Sequence, residues 1–319
     1  MKRKMVRVCF LWICAVLLSG KAAAAEWLVP VGEVIGIELF DGSVSVAAFD
    51  DALGQNARTA GLEIGDRIVS VDDYPVTCAK DVRYALERAD GTVELEVERE
   101  GKQMELTVSP GITRDGPRLG VYLRQGITGM GTVTWYDPDS GRFGALGHGV
   151  NTASGELLVM NRGSVYEASV AGVQKGAVGA PGQLLGEVEN KTAIGSLSKN
   201  TAQGIFGTVQ KKWEEEALPV GAAHTGEAII RSTVSEDEVQ EYSVEILKIY
   251  PNADHSGRNM LLKVTDPELL ETTGGIVQGM SGSPIIQDGK LVGAVTHVLV
   301  NDPTRGYGIF IENMLEVAG

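Results

Sequence analysis

The stretch Gly274-Gly275-Ile276-Val277-Gln278-Gly279-Met280-Ser281-Gly282-Ser283-Pro284-Ile285-Ile286 decides how the rest of the chain is read. A turn follows at Gln287-Asp288-Gly289-Lys290, and Leu291-Val292-Gly293-Ala294-Val295 resumes the apolar run. Short apolar runs parted by glycine-bearing turns read as strand, tight turn, strand. Ser281 stands at the tight turn between Gly279 and Gly282. Glycine admits φ > 0 and close backbone approach. A serine nucleophile needs that geometry: its Oγ must be exposed, and the N–H groups of Gly279 and Ser281 must converge where an oxyanion develops. An ordinary Gly/Ser β-turn between buried strands gives the same local pattern.

The run Gly-x-Ser-Gly-x-Pro at 279–284 resembles the nucleophile turn of trypsin-like serine peptidases. Such a serine needs a base, and the chain has four histidines: His148, His224, His255 and His297. His148 sits in Gly147-His148-Gly149 directly after the apolar run Phe143–Leu146. A base facing a cleft needs small neighbours and a constrained backbone, so His148 is the leading candidate. His224 and His255 read as loop residues, and His297, on the strand after the serine turn, is a weaker rival. Base before nucleophile is the trypsin-like order. Ser283 is the rival nucleophile.

Working outward, 319 residues suggest two domains and a leader. Hydrophobic residues at 43% allow buried cores, and 41 glycines with many short runs favour β structure over helical bundles. A net charge of −14 argues against nucleic acid and against electrostatic attachment to anionic lipid. Residues 1–25 read as a secretory leader: Lys2, Arg3, Lys4 and Arg7, then Val8–Leu18, then Ala22-Ala23-Ala24-Ala25. A retained anchor is the alternative, and membrane association is expected only through this leader. Cys9 and Cys14 fall within it, leaving Cys78, so no disulfide and no cysteine metal site is expected. No nucleotide fingerprint occurs in a βα context, and no cofactor or metal is expected.

Residues 33–109 read as the first module. Val34–Leu39 and Val44–Phe49 alternate as strands, a helix is expected near Ala79–Arg88, and Thr92–Glu98 with Met104–Val108 close a hairpin. Ala60-Gly61-Leu62-Glu63-Ile64-Gly65-Asp66-Arg67-Ile68 followed by a hairpin and helix resembles a PDZ domain of secreted bacterial peptidases. The resemblance implies capture of peptide termini by strand addition, with Gly32, Ile35, Gly36 and Ile37 at the capturing loop and strand edge. Pro110-Gly111 to Pro117 is the expected boundary, and 110–319 the second module, where short strands at regular spacing suggest a β-barrel or sandwich. An echo between Gly144-Ala145-Leu146-Gly147 and Gly204-Ile205-Phe206-Gly207 reads as shared turn chemistry. The fold expected is mainly β, a PDZ domain followed by a trypsin-like β-barrel-type serine peptidase domain.

A carboxylate to orient the base is less easily found. Asp266 leads, but Asp before Pro267 and a short helical run ending at Gly274 is also a standard N-cap. Asp254 and Asp137 are alternatives. Gly147-His148-Gly149, Thr265-Asp266-Pro267, Thr273–Pro284, and His297 with Asn301-Asp302-Pro303-Thr304 resemble the stage IV sporulation protein B family, PDZ-containing serine peptidases of endospore-forming bacteria. The resemblance implies His148 as base, Asp266 as orienting carboxylate and Ser281 as nucleophile. It further implies secretion from the forespore into the space between the two forespore membranes. There the family cleaves a regulatory subunit of a membrane-embedded metalloprotease complex, permitting sigma-factor activation, and it cleaves itself. A catalytically inactive secreted PDZ scaffold is the alternative, against which the intact Ser281 and Gly-His-Gly argue.

Overall fold

The computed structural model describes residues 27–152, 155–235, 238–251 and 257–319. The leader at 1–25, Asp254 and His255 lie outside the described residues. The chain opens with β1 (Trp27–Pro30) and the long β2 (Val34–Phe49). A compact module follows: α1 (Gln55–Thr59), β3 (Arg67–Val71), β4 (Tyr74–Pro75), α2 (Ala79–Arg88), β5 (Val93–Arg99), β6 (Lys102–Val108), and the small hairpin β7 (Gly111–Thr113) and β8 (Gly116–Arg118). Asp81 helps start α2 where expected, accepting the N–H groups of Thr77 and Cys78 at 2.8 and 2.9 Å. The second long strand, β9 (Val121–Tyr136), leads into β10 (Arg142–Ala145), β11 (Arg162–Gln174), β12 (Gln183–Thr201) and β13 (Gly204–Val209).

The pairings close a first barrel: the Val34–Phe40 half of β2, then β9, β10, β13, β12 and β11, which returns to β2. Ile35, Val133, Phe143, Val165 and Ile205 fill it. The Gly144 and Gly204 runs that echo in sequence are neighbouring strands, Gly144 opposite Phe206 and Ala145 opposite Ile205.

After β14 (Leu218–Pro219) come β15 (Gly226–Thr233), β16 (Val239–Ile249), β17 (Met260–Val264), α3 (Pro267–Thr273), β18 (Pro284–Gln287), β19 (Lys290–Leu299), β20 (Asp302–Phe310) and α4 (Ile311–Ala318). β15, β16, β17, β20, β19 and β18 close a second barrel around Ile230, Ile246, Leu262, Ile285 and Val295. A further apolar cluster joins Trp135 and Phe206 of barrel one to Leu291, Ile309 and Met314 of barrel two and α4. The fold is thus mainly β, a PDZ domain attached to a trypsin-like pair of barrels.

The division at residue 110 is corrected in one respect. β2 and β9 each belong to both parts: Val44–Phe49 pairs Val121–Gln125 around the PDZ core of Val44, Ile68, Leu86 and Leu95, whereas Val34–Leu39 pairs Ile127–Thr132 in barrel one. The PDZ module is therefore carried between two barrel strands instead of standing before the barrel. Period-2 alternation marks a strand but not its partners, which is why Val34–Leu39 read as part of the first module.

Candidate active site

The serine loop arises where α3 ends. Asp266 starts this helix, its Oδ1 accepting the N–H of Glu268 (3.0 Å) and Leu269 (3.1 Å), with Pro267 at the first turn. Gly274 ends it in the left-handed region at φ 78°. The chain then passes Ile276, Val277 and Met280, all buried in barrel two, and reaches Ser281. Gly282 has φ 99°, and a Cβ there would lie 2.0 Å from Thr132 O, so only glycine fits against β9.

Barrel one holds this loop through one buried residue that no motif announces. Thr132 Oγ1 donates to Gly279 O (2.8 Å), and Thr132 N–H donates to Ser281 O (2.9 Å). Within the loop, Gln278 N–H donates to Gly182 O, Met280 N–H to Val277 O, Gly282 N–H to Val295 O and Ser283 N–H to Met280 O. The N–H groups of Gly279 and Ser281 take no part in those bonds. They are the two donors an oxyanion would need.

His148 comes from barrel one. β10 ends at Ala145, and Leu146 (φ 69°) and Gly147 (φ 68°) both turn left-handed before it. For a leucine that conformation costs on the order of 1 kcal/mol or more, and the Leu146 N–H bond to Thr132 O at 3.2 Å helps hold it. The bend brings His148 to the same cavity as Ser281, Gly279 and Gln278, a space of about 320 Å³. The His148 ring lies 5.2 Å, centroid to centroid, from that of His297 on β19, tilted by 39°. His148 Nδ1 is 2.9 Å from Gly149 O. Burial holds the His148 imidazole below its usual range. Burial first, then the charges of His148 and Arg258, push His297 down to about 4.

Ser281 Oγ donates to Thr296 O at 2.8 Å, so in this state its hydroxyl faces β19 rather than the histidine. Asp266 is not brought to His148 by any hydrogen bond or ion pair among the described residues: its Oδ2 accepts the N–H of Ser243 (3.2 Å), and its Oδ1 caps α3. Asp137 is likewise engaged in the β9–β10 turn, accepting the Asp139 N–H. Ser283 lies in the barrel-two core, donating to Ser232 Oγ at 3.0 Å, away from the cavity. His224 is exposed, its Nε2 2.8 Å from Asp288. Among the described residues no three His, Cys, Asp or Glu side chains gather to hold a metal.

The peptide-capture residues read from sequence are also corrected. Ile35, Gly36 and Ile37 pair with Glu167, Tyr166 and Val165 on one edge and with Gly131, Met130 and Gly129 on the other. A strand paired on both edges has nothing to offer an added peptide. Gly32 joins the barrels, its carbonyl accepting the Thr233 N–H at 3.1 Å. A cavity of the PDZ module lies elsewhere, about 460 Å³ between Ala79, Val82 and Leu86 of α2 and Gly120 with Val121–Leu123 of β9. Val121–Gln125 pairs with β2 on one edge alone among the described strands. The sequence signal was Leu119-Gly120-Val121, an apolar-glycine-apolar run opening a strand just past the expected boundary.

Two closed barrels, with a serine loop from one and a histidine from the other meeting at one cavity, define a trypsin-like peptidase fold carrying a PDZ domain. The model of the SpoIVB peptidase S55 family matches residues 115–315, and the chain belongs to that family. A PDZ domain model matches residues 53–99. Among solved structures, the chain is similar to the active form of the Rv3671c protease of M. tuberculosis at 14% identity, with 60% of this chain and 73% of that chain covered and a TM-score of 0.35. It is similar to the HtrA-type protease AlgW with a decapeptide at 13% identity, covering 65% and 57%, with a TM-score of 0.37. A Rhizobium meliloti (strain 1021) protein provisionally named zinc metalloprotease R01501 is 31% identical over 124 residues, 39% of this chain and 31% of that protein. The chain spans less than half the length of the curated relatives it matches.

Proposed function

We propose that this chain is a serine endopeptidase working through Ser281 and His148. Ser281 Oγ turns from Thr296 O towards His148 and attacks the scissile carbonyl. His148 accepts the hydroxyl proton and later delivers it to the leaving amine, and the N–H groups of Gly279 and Ser281 receive the oxyanion. The observation carrying this reading is the shared cavity of Ser281, His148 and Gly279, with both loop N–H groups outside the loop's own bonds. Catalytic hydrogen bonds often tighten only once substrate is bound. In this reading Asp266 acts through the helix it caps, and the His148 ring is steadied by Gly149 O and His297.

The groove between α2 and β9 takes peptide by strand addition and brings protein substrate to the cleft. The wider setting rests on family membership and on the basic, apolar and small-residue pattern of residues 1–25. It comprises export across the forespore inner membrane, cleavage of a regulatory subunit of a membrane-embedded metalloprotease complex, sigma-factor activation in sporulation, and self-cleavage. A second reading, an inactive PDZ scaffold, is favoured by the Ser281 bond to Thr296. A fluorophosphonate probe separates the two: the peptidase labels at Ser281 and Ser281→Ala does not, whereas a scaffold labels in neither form. Incubation with the regulatory subunit, and mapping of the cut, tests the substrate.

A further inference from the structure

The cavity at Ser281 has a chemical character that the catalytic reading does not require. None of its lining residues carries a charged side chain, apart from what His148 acquires by protonation. Ile37, Leu39, Ile127 and Leu146 are among its walls, with the uncharged polar side chains of Asn151 and Gln278. Ile37, Leu39 and Leu146 are nearly fully buried, while Ile127 stays partly open. A second cavity of about 330 Å³ shares the lining residues Ile37 and Gly129 and is otherwise bounded by Glu38, Thr128, Tyr166 and Val188. Its one carboxylate, Glu38, accepts the Tyr166 hydroxyl at 2.7 Å. Gly129 borders both cavities, and a Cβ built there meets nothing within 4 Å, so a larger side chain at this position would enter open space.

We propose that the first cavity, an apolar trough beside Ser281, is a specificity site, which seats one large aliphatic or aromatic side chain of a polypeptide substrate close to the scissile bond and rejects charged ones. The inference rests on the peptidase reading above and goes beyond it by naming the substrate's chemistry. Apolar walls gain from an apolar side chain leaving water. An ionised side chain there would lose its hydration and find no partner charge. One methylene more or less in such a pocket is worth on the order of 10- to 200-fold in kcat/KM, and an unpaired charge costs more.

The test uses the full chain and an internally quenched peptide library with cut sites mapped by mass spectrometry, beside fluorophosphonate labelling of the wild type. The expected result is one position near the cut, at a fixed offset, where Leu, Ile, Met or Phe recurs and Asp or Lys slows cleavage by roughly 10-fold or more. Gly129→Leu should shift that preference towards Ala and Gly, because the added side chain takes up space at the cavity's lining. Ile127→Ala, which enlarges the space instead, should relax the limit on size, and melting curves confirm that both variants fold. Labelling with indifferent cleavage, or a preference unmoved in both folded variants, would overturn the specificity site alone. Neither labelling nor cleavage by the wild type would overturn the peptidase reading and the site with it.

Discussion

The imidazole rings of His148 and His297 face each other at 5.2 Å, and His297 Nδ1 is buried without a hydrogen-bond partner among the described residues. Neither ring gains from a second positive charge beside it. The described charged or titratable groups acting on His297 are His148 and Arg258. Burial lowers both histidines from the usual 6.5. His148 therefore stays a neutral base below that pH, and the acid limb of kcat/KM is expected below 6.5. Stability follows the same sign: the unfolded chain binds the protons first, so the full contribution is present above pH 6.5 and is lost as pH falls towards about 4. His297→Phe should hold its melting temperature at pH 7, since it removes an unpaired buried nitrogen, and should lose less than wild type at pH 4.5. An equal acid loss in both proteins would assign it to other groups.

Ser281 and Ser283 stand two residues apart in opposite surroundings. Ser281→Ala should abolish labelling and cleavage with little change in melting temperature, because its hydroxyl meets a carbonyl at a cavity wall. Ser283→Ala removes the buried bond to Ser232 and should cost about 1–3 kcal/mol, the range for a buried polar group left unpaired. Melting curves beside peptide rates read both, and cleavage by Ser281→Ala would end the nucleophile assignment.

Asp266 is placed as a helix cap. Asn keeps one oxygen to cap α3 but its amide nitrogen cannot accept the Ser243 N–H, so Asp266→Asn should keep the rate and lose on the order of 1 kcal/mol, whereas Asp266→Ala should lose more and slow cleavage through the loop that α3 feeds. If Asp266→Asn stays folded yet loses about 10⁴ in rate, the loss found for the trypsin-like template, the carboxylate reaches His148 during turnover and the orienting role implied by the family resemblance stands.

The groove between α2 and β9 can be blocked without touching the cleft. Ala79→Trp, at the start of α2, should raise KM for a protein substrate while a short peptide is cut at the wild-type rate. Gly36→Trp is expected to fail differently. A Cβ there already lies 2.7 Å from Val188, so the change should unfold barrel one and abolish both activities. Equal losses for Ala79→Trp in both assays would argue against a capture role.

The parts of this fold written in local pattern were legible from sequence: the strand-turn-strand around Ser281, the glycine-flanked His148, the helix at Ala79–Arg88 and the Asp266-Pro267 cap signal. What escaped was long-range. Asp41-Gly42-Ser43 interrupts the alternation of β2, so this long strand reads as two short ones, and Gly126 interrupts β9 in the same way. Thr132 carries no motif, because its role follows only from a partner nearly 150 residues away. The apolar trough is assembled from β2, β9 and the turn after β10, which no single window of sequence contains.

The sharing of β2 and β9 between PDZ module and barrel also bears on how the chain assembles. Val34 and Thr132 pair across roughly a hundred residues, a closure whose entropic penalty must be met before any barrel contact forms. The module between them has its own core and local hairpins, so it can organise first during synthesis and present the two strand halves side by side for β10–β13 to complete. We expect pulsed hydrogen exchange to find amides of Val44–Phe49 and Val121–Gln125 protected before those of Val34–Leu39 and Ile127–Thr132. The reverse order would mean that the barrel nucleates itself. On this view the PDZ module is a scaffold for the barrel's own birth, and its deletion would remove a template as well as a binding groove.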